Sequence, residues 1–353
     1  MNMALDTRGT VTVTDLDDPF TVDSIEVYVR RQRGSLFHRP AWLNAVAQAT
    51  GHRAMGLIAE KMGAITGWLP LTRVQSRLFG KALVSSGFGV GGGVLCDDSE
   101  VGFQLCDHAS QIAAAEGFDS VELRGGAIPE GWTRHEDKHC GFERELASDD
   151  EEQLLAIPRK ARAEVRKALK SDLEVRIGRE QHDLAEHYSV YSQSVRNLGT
   201  PVFPKRLFET MLDAFPDSSD ILTVSRRGEP LASVLSFYHD GAVLPFWGGG
   251  SRDARAARAN ELMYYELMLH ARRQGMRRFD FGRSKTGSGP YHFKKNWGFT
   301  PQPLVYGEWV RPGALARNVD PTSASYARKI ALWKKLPLPL ANALGPLVAR
   351  DLA

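Results

Sequence analysis

Hydrophobic and polar positions follow the same order in two separate stretches of the chain. In the first stretch, alternating positions predict strands over 55–60 and 64–74, joined by a turn at Lys61-Met62-Gly63. A third strand is predicted over 82–86, a helix over 100–115 and a last strand over 118–124. The order is therefore strand, strand, strand, helix, strand.

The second stretch repeats this order after two predicted helices over 181–197 and 205–214. Leu262, Tyr265 and Leu269 mark the apolar face of its crossover helix. The predicted elements are strands over 221–227, 231–238 and 242–248, of which the last two are joined by the hairpin turn Asp240-Gly241, then a helix over 258–274 and a strand over 277–282. The chain is thus predicted to contain two mixed α/β units of the same order.

The passage from helix to last strand also matches between the two stretches. Gly117 and Gly275 stand where the helices should end, because glycine readily adopts the left-handed conformation that terminates a helix. Five residues further on, each strand carries an acid, Glu122 in the first stretch and Asp280 in the second. This correspondence indicates an internal duplication.

Length and cysteine content set the broad class of protein. The 353 residues exceed the usual size of a single core, about 250 to 300 residues, and so allow two domains. Cys96, Cys106 and Cys140 show no C-x-x-C spacing and favour a reducing compartment. The acidic, threonine-rich residues 1–20 have neither a basic nor an apolar signal region, which predicts a cytoplasmic protein.

The segment 279–299 carries the most candidate chemistry. Phe279 and Phe281 alternate with Asp280 as on a strand, and the glycines that follow free the backbone for tight turns. The segment then supplies four cations and three aromatic side chains: Arg283, Lys285, Lys294, Lys295, Tyr291, Phe293 and Trp297. So many cations in a short segment favour an anionic ligand such as a phosphate or a carboxylate. A solvated basic loop is the alternative.

A second basic segment spans 156–171. Arg162, Arg166 and Lys170 follow one another at intervals of four residues and therefore share one face of a predicted helix. This face suits contact with RNA or lipid phosphate, and it equally suits an ordinary solvated helix surface.

The C-terminal segment is also basic. From Arg311 onward, seven lysines and arginines stand against Asp320 and Asp351. Over 326–340, basic residues are mixed with Trp333 and leucines ahead of prolines that should break any helix. This composition favours either contact with an anionic membrane or packing on the second domain.

Two motifs match known sites in spelling only. His135-Glu-Asp-Lys-His139 has the zinc spacing H-E-x-x-H, which requires both histidines on one helix, whereas this polar stretch lacks an apolar stripe and predicts a surface loop. The glycine-rich run over 87–93 lacks the Lys-Ser/Thr ending of a phosphate loop. It predicts a turn that shapes a substrate groove, or else structural glycines. No metal site is predicted.

Several motifs together resemble one family. They are the segments 157–168 (IPRKARAEVRKA), 198–203 (LGTPVF), 245–250 (PFWGGG), 260–264 (NELMY) and the loop 279–299. On these motifs the chain resembles, over roughly residues 36 to 346, the FemAB-like proteins associated with PEP-CTERM/exosortase polysaccharide systems.

The resemblance implies a mixed α/β fold of tandem GNAT-like acyltransferase domains, each with a mixed central sheet flanked by helices. The expected segments are an acidic N-terminal lead-in over 1–35, a first domain over 36–150, a basic connecting helix over 151–172, a second domain with the active site over 173–311 and a basic amphipathic tail over 312–353.

The family's activity implies transfer of an acyl or aminoacyl group to an amine of a cell-envelope or exopolysaccharide precursor, without a metal. Phe293-Lys294 stands where the family carries a Phe-Lys pair that serves the oxyanion and the donor, so Lys294 is expected to be catalytic. Asp280 is expected to orient nearby cations or accept a proton, with pairing to Arg283 as the alternative. Expected substrate contacts are Arg283, Lys285, Tyr291, Phe293, Lys295, Asn260 and Tyr264.

Two departures from the family pattern leave the donor open. The chain lacks the long charged helical hairpin thought to engage tRNA in some members, and residues 251–258 (SRDARAAR) replace the Q/R-x-x-G-x-G loop of acetyl-CoA users. The donor is therefore aminoacyl-tRNA or acyl-CoA, and no resident cofactor is expected. The alternatives are an acetyl-CoA-dependent acetyltransferase of an amino sugar and a non-catalytic protein that binds glycan or lipid phosphate.

Overall fold

The computed structural model describes residues 9–14, 16–76, 78–317 and 324–352, with side chains from residue 328 onward in the last segment. The strands are β1 Thr10–Thr14, β2 Arg53–Lys61, β3 Ala64–Ser76, β4 Gly80–Ser85, β5 Leu95–Cys96, β6 Ser120–Arg124, β7 Thr133–His135, β8 His139–Gly141, β9 Glu143–Glu145, β10 Glu174–Gly178, β11 Ser219–Arg226, β12 Glu229–His239, β13 Ala242–Gly250, β14 Arg278–Asp280, β15 Ser284–Lys285, β16 Gln302–Pro303 and β17 Tyr306–Val310.

The helices are α1 Pro19–Arg31, α2 Pro40–Thr50, α3 Ser99–Ala115, α4 Asp150–Ala156, α5 Arg159–Ala168, α6 Gln181–Leu198, α7 Lys205–Ala214, α8 Ala254–Ala257, α9 Ala259–Arg273, α10 Gly289–Asn296, α11 Ala324–Trp333 and α12 Leu338–Ala349, with a short 3₁₀ helix at Leu36–His38. In the described parts of the chain, no helix combines the length and the apolar character that crossing a membrane requires.

These elements form two compact units, one drawn from residues 1–136, 305–319 and 350–353 and the other from 137–304 and 320–349. The first unit contains an eight-stranded sheet in the order β1-β2-β3-β4-β6-β17-β7, with β5 paired to β3. Only β4 and β6 run parallel in it. Helix α3 packs on this sheet through buried Leu105, Ala109 and Ala113.

The second unit contains a six-stranded sheet in the order β10-β11-β12-β13-β14-β9, in which β13 and β14 run parallel and the other neighbours antiparallel. Helix α9 packs on one face, where Leu262 shares a buried cluster with Val234 and Phe279. On the other face, the ring of Phe208 from α7 lies 5.1 Å from that of Trp247. A separate small sheet has the antiparallel order β15-β8-β16.

The predicted repeat is confirmed element by element. The strands β2, β3, β4, the helix α3 and the strand β6 correspond to β11, β12, β13, α9 and β14. Gly117 and Gly275 end the two helices at φ +72° and +80°. In each case the next N–H returns to the helix, from Phe118 to Ala113 at 2.8 Å and from Met276 to Ala271 at 3.0 Å.

Two local predictions are wrong. The H-E-x-x-H motif is not a surface loop, because His135 lies on β7 and His139 on β8, and His135 Nε2 contacts Glu308 at 3.2 Å. Neither histidine lies on a helix, and within the described ranges no three His, Cys, Asp or Glu side chains cluster to hold a metal ion.

The C-terminal prolines also behave differently from the prediction. Helix α11 ends at Trp333, ahead of Pro337, but helix α12 begins directly afterwards. Pro339 lies in the first turn of α12, where its missing N–H has no helical partner to lose. Pro346 lies inside the same helix, so the prolines do not end helical structure here.

The glycine-rich loop over 87–93 is packed against its own unit. Gly93 N–H donates to the carbonyl of Arg124 at 3.1 Å. A Cβ atom on Gly93 would lie 1.8 Å from the carbonyl oxygen of Gly125, which no side chain can do. This contact favours the structural interpretation of these glycines over a substrate groove.

We expect Gly93→Ala to lower the stability of the first unit by about 1 to 3 kcal/mol, because backbone must move to admit the methyl group. Gly91→Ala is the matched control in the same loop, since its Cβ would meet its nearest neighbours at an ordinary 3.6 Å. Thermal unfolding followed by circular dichroism measures both. Equal melting temperatures for the two variants would contradict the packing described here.

Candidate functional site

Strands β13 and β14 separate early along their length. They pair in parallel at only two positions, the last of which is Val243 with Phe279, whereas β13 continues to Gly250. Asp280, the last residue of β14, therefore stands where the two strands part. Strands that part no longer pair their facing backbone groups with each other, and such groups can bind an extended ligand. The gap between β13 and β14 is the candidate donor site.

The equivalent strands of the first unit stay together for longer. β4 and β6 pair at three positions, the last of which joins Val84 to Glu122, the counterpart of Asp280. Just beyond this pair, the glycine-rich loop closes on β6 through the hydrogen bond from Gly93 to Arg124. In the first unit, the protein's own loop therefore bonds to β6 at the position where, in the second unit, β13 no longer pairs with β14.

The acids at the two equivalent positions have different partners. Glu122 accepts a hydrogen bond at 2.9 Å from Arg317, whose side chain is only 1% exposed. Asp280 instead accepts from the backbone N–H of Gly282 at 2.9 Å. Because Glu122 is taken up by a buried ion pair, the second unit is the candidate active domain.

Asp280 has the acid–base character that proton transfer requires. Burial raises the pKa of its carboxyl group to about 6, and Glu143 acts in the same direction while Lys294 and Arg278 oppose it. Glu143 lies opposite Asp280 on the neighbouring strand β9. A carboxyl group with this pKa is ionised at neutral pH and still basic enough to accept a proton. Asp280 is therefore a candidate general base.

Lys294 holds the turn that follows β14. It is 8% exposed, and its Nζ donates to the carbonyl oxygens of Gly282 and Arg283, each at 3.1 Å. The Nζ also lies 5.3 Å from the ring centroid of Phe142 and 5.4 Å from that of Phe281, within the range of cation–π attraction. An ammonium group has three N–H donors, so one remains for a ligand.

The environment of Lys294 also changes its titration. Burial lowers the pKa of Lys294 to about 8, with the charge of Asp280 opposing this shift and that of Arg283 adding to it. The amine is thus mainly protonated at pH 7, with a neutral fraction that grows above pH 8.

The other predicted cations lie directly before or within β15 and α10, the elements that follow the turn after β14. Arg283 directly precedes β15 and Lys285 lies on it, both half-buried. Helix α10 packs beside β15 and carries exposed Lys295, whose Nζ lies 5.6 Å from the ring centroid of Tyr291. The structure therefore places Lys294 and Arg283 together at the end of β14, with Lys285 on the following strand and Lys295 exposed on α10.

Glycines at the end of β13 allow side chains to approach the strand that borders the gap. A Cβ atom on Gly250 would lie 2.7 Å from Oδ1 of Asn260, and one on Gly248 would lie 3.4 Å from the hydroxyl of Tyr264. Burial raises the pKa of Tyr264 to about 12, so its hydroxyl remains a donor. The ring of Phe293 packs 5.8 Å from that of Tyr264. Asn260, Tyr264 and Phe293 thus lie beside the candidate donor site.

The segment after β13 provides positive charge in place of a glycine-rich phosphate loop. It contains the helical turn α8 and then Arg258, which adopts φ +62° directly before α9. The first turn of α9 has no side-chain cap, and helix N-termini favour phosphate. Arg252 and Arg255 are exposed just ahead of it. The backbone and the charge fit the phosphate groups of an acyl donor.

Helix α5, which carries the predicted basic face, contacts this segment through an ion pair. Glu164 of α5 forms an ion pair with Arg258, at the start of α9. Arg166 on α5 and Lys170 just after it are exposed, whereas Arg162 donates to a backbone carbonyl of the preceding helix at 3.0 Å. Arg166 and Lys170 are therefore open to phosphate, and Arg162 is held by its own chain.

Sequence reasoning missed two contributors to the site. Glu143 adds negative charge next to Asp280, and the ring of Phe142 faces the Lys294 ammonium. Both belong to a strand of three residues and its approach, more than 100 residues ahead of β14 in the chain. So short a strand has no periodicity to detect.

Comparison with known proteins follows the same division of the chain. The family model described as acetyltransferase (GNAT) domain matches residues 158–295. A comparison with curated protein sequences finds no match.

Solved structures of similar fold cover most of the chain. FemX is 16% identical with a TM-score of 0.66, over 85% of this chain and 97% of FemX. A tandem GNAT protein from the clavulanic acid biosynthesis pathway is 11% identical with a TM-score of 0.57, over 86% and 98%. The C-terminal domain of a putative lysylphosphatidylglycerol synthetase from Agrobacterium fabrum is 13% identical with a TM-score of 0.56, over 81% and 90%. At these identities the likeness concerns the fold.

The predicted tandem GNAT-like architecture is thus confirmed, and the second unit carries a GNAT-type acyltransferase domain. Such a domain implies acyl-CoA as co-substrate. The association with PEP-CTERM/exosortase systems stays a prediction.

We expect Lys294→Met to loosen the turn after β14, because the carbonyls of Gly282 and Arg283 lose their donor. Lys295→Met, at the exposed neighbouring position, is the matched control. Amide hydrogen exchange should rise over residues 282–289 in the first variant and stay unchanged in the second. Unchanged exchange in Lys294→Met would show that the amine does not hold the turn.

Proposed function

We propose that the second unit catalyses N-acyl transfer, with the acyl donor in the gap between β13 and β14 and the acceptor amine beside Asp280. The observation that carries this proposal is the early separation of the two strands at a carboxylate whose pKa is near 6. The match to a GNAT acetyltransferase domain over residues 158–295 supports it.

In the proposed reaction, the neutral amine nitrogen of the acceptor forms a bond to the donor carbonyl carbon. The Asp280 carboxylate takes the proton that this nitrogen loses. The bond from the carbonyl carbon to the donor sulfur or oxygen then breaks, and the leaving thiolate or alkoxide takes the proton from Asp280 to become a thiol or hydroxyl. A base with a pKa near 6 suits this exchange at neutral pH.

Lys294 is proposed to stabilise the negative oxygen that develops on the carbonyl. Two of its N–H groups are fixed on the turn, which holds the third in a set direction. A preorganised donor of this kind typically contributes about 3 kcal/mol to transition-state stabilisation. Because the amine is buried, its charge is less screened than at the surface.

The acceptor is proposed to be an amine of an anionic cell-envelope or exopolysaccharide precursor. Arg283, Lys285 and Lys295 follow β14 in the loop, in β15 and in α10, and cations of this kind suit a phosphate or carboxylate on the acceptor. The fold that the chain shares with FemX, and the family resemblance described above, support the envelope as the destination. Both donor classes are made in the cytoplasm, where we place the reaction.

The donor is proposed to be aminoacyl-tRNA, with acyl-CoA as the alternative. Arg252 and Arg255 are exposed ahead of α9, and Arg166 and Lys170 are exposed on α5 and just after it. These exposed cations are more numerous than one pyrophosphate needs and suit a polynucleotide. The GNAT domain match favours acyl-CoA, which would make the protein an acetyltransferase of an amino sugar.

We expect Asp280→Asn to lower kcat/KM by about 10² to 10⁴, because the amide cannot accept the proton. In the unsubstituted protein, kcat/KM should rise with pH through about 6 as Asp280 ionises. Donor consumption from acetyl-CoA and from alanyl-tRNA, with glucosamine 6-phosphate as acceptor, measures both.

Glu143→Gln is the control for this profile. Removing the neighbouring charge should lower the pKa of Asp280 and move the acidic limb to lower pH while turnover remains. An Asp280→Asn variant with full turnover would exclude Asp280 as the base. If the unsubstituted protein binds either donor but turns over neither, the non-catalytic alternative is correct.

We expect tRNA to bind saturably at physiological salt and the double variant Arg166→Ser/Lys170→Ser to bind it roughly tenfold more weakly. Arg53→Ser/Lys61→Ser removes the same charge from exposed positions of the first unit and should leave the affinity unchanged. A side-by-side titration with charged tRNA and acetyl-CoA, at low and physiological salt, makes the comparison. Binding of acetyl-CoA alone would exclude the tRNA donor.

A further inference from the structure

Helix α12 is apolar on two sides. Its inner side consists of small residues at intervals of four, Ala341, Gly345 and Ala349, which are buried. A Cβ atom on Gly345 would lie 2.9 Å from the backbone nitrogen of Val202, so the helix packs closely on the second unit. The small residues account for the packing and leave the larger side chains elsewhere on the helix.

The larger side chains face away from the unit. Leu340, Leu344 and Leu347 are 52%, 45% and 60% exposed, and their spacing places them on one face of the helix. Leu332, at the end of α11, is 67% exposed. A face of leucines in water is costly, since each side chain stands to gain free energy from burial.

Basic side chains accompany this leucine face. Arg328, Lys334 and Lys335 are exposed, whereas Arg350 forms an ion pair with Asp351. Lys334 and Lys335 lie in the turn between the two helices and are exposed. The segment thus combines exposed leucines with exposed basic side chains.

We propose that α12 and the end of α11 dock on an anionic lipid bilayer. The 12 residues of α12 span about 18 Å, too short for a hydrocarbon core of about 30 Å, so the helix lies along the surface. The leucines would enter the boundary between headgroups and acyl chains, while the lysines contact lipid phosphate. This docking does not depend on acyl transfer, although it would bring the enzyme to lipid-borne acceptors.

The same charge argues against a second copy of the chain as the occupant of this face. A two-fold dimer through the leucines would bring the exposed basic residues of two copies, Arg328, Lys334 and Lys335, close to one another. In such a dimer the like charges would repel each other, whereas an anionic surface attracts them.

The test is flotation with vesicles of phosphatidylcholine and phosphatidylglycerol in equal parts, compared with phosphatidylcholine alone. We expect the protein to bind the anionic vesicles, and the binding to weaken as salt is raised. The variant Leu340→Ser/Leu344→Ser/Leu347→Ser should bind roughly tenfold more weakly. Lys334→Ser/Lys335→Ser should also bind more weakly and lose much of the salt dependence.

Leu78→Ser/Leu155→Ser is the matched control, because these leucines are 70% and 51% exposed elsewhere on the chain and should not affect binding. Unchanged melting temperatures show that the variants fold. Vesicle binding by the triple leucine variant equal to that of the unsubstituted protein would overturn the proposal. The proposal would also be overturned if sedimentation velocity showed a dimer that the triple leucine variant abolishes, while vesicle binding is unaffected.

Discussion

The separation of β13 from β14 is the constraint on which the candidate site depends. Without it, Asp280 would pair with Leu244 in the ladder, as Glu122 pairs with Val84 in the first unit. The turn after β14 must therefore stay away from β13, and Lys294 provides the contacts that hold it. The lowering of its pKa from 10.5 to about 8 corresponds to a cost of about 3 kcal/mol for the buried charge.

The two repeats show how one architecture can serve two roles. The first unit extends its parallel ladder, closes its loop through Gly93 and Arg124, and neutralises Glu122 with buried Arg317. Each of these contacts stabilises the unit and removes a group that could act on a ligand. The second unit leaves its ladder short and holds Asp280 half-buried with a raised pKa. The first repeat thus pairs its polar groups internally, and the second keeps a carboxylate that can act on a ligand.

The cations of the second unit are of two kinds, one buried and the others exposed. Buried Lys294 is fixed by backbone carbonyls and aromatic rings and can act at one point. The exposed basic residues on α5 and before α9 are spread over a surface and suit a ligand with many phosphates. The Glu164–Arg258 pair joins α5 to the start of α9, and Arg252 and Arg255 are exposed just ahead of that helix. In the proposed reaction, the two kinds of cation would address the reacting group and the rest of the donor separately.

The sequence by itself determined the repeated order of strands and helices, because the period of apolar positions and the helix-ending glycines are local signals. Gly117 and Gly275 end their helices as predicted, and the cationic loop after β14 was visible from composition. The tertiary structure alone decided that β13 and β14 part at Asp280, that Lys294 turns inward to Gly282 and Arg283, and that Glu143 stands opposite Asp280. It also decided that prolines do not end α12. These features depend on contacts between segments far apart in the chain, where burial rather than local preference sets both conformation and pKa.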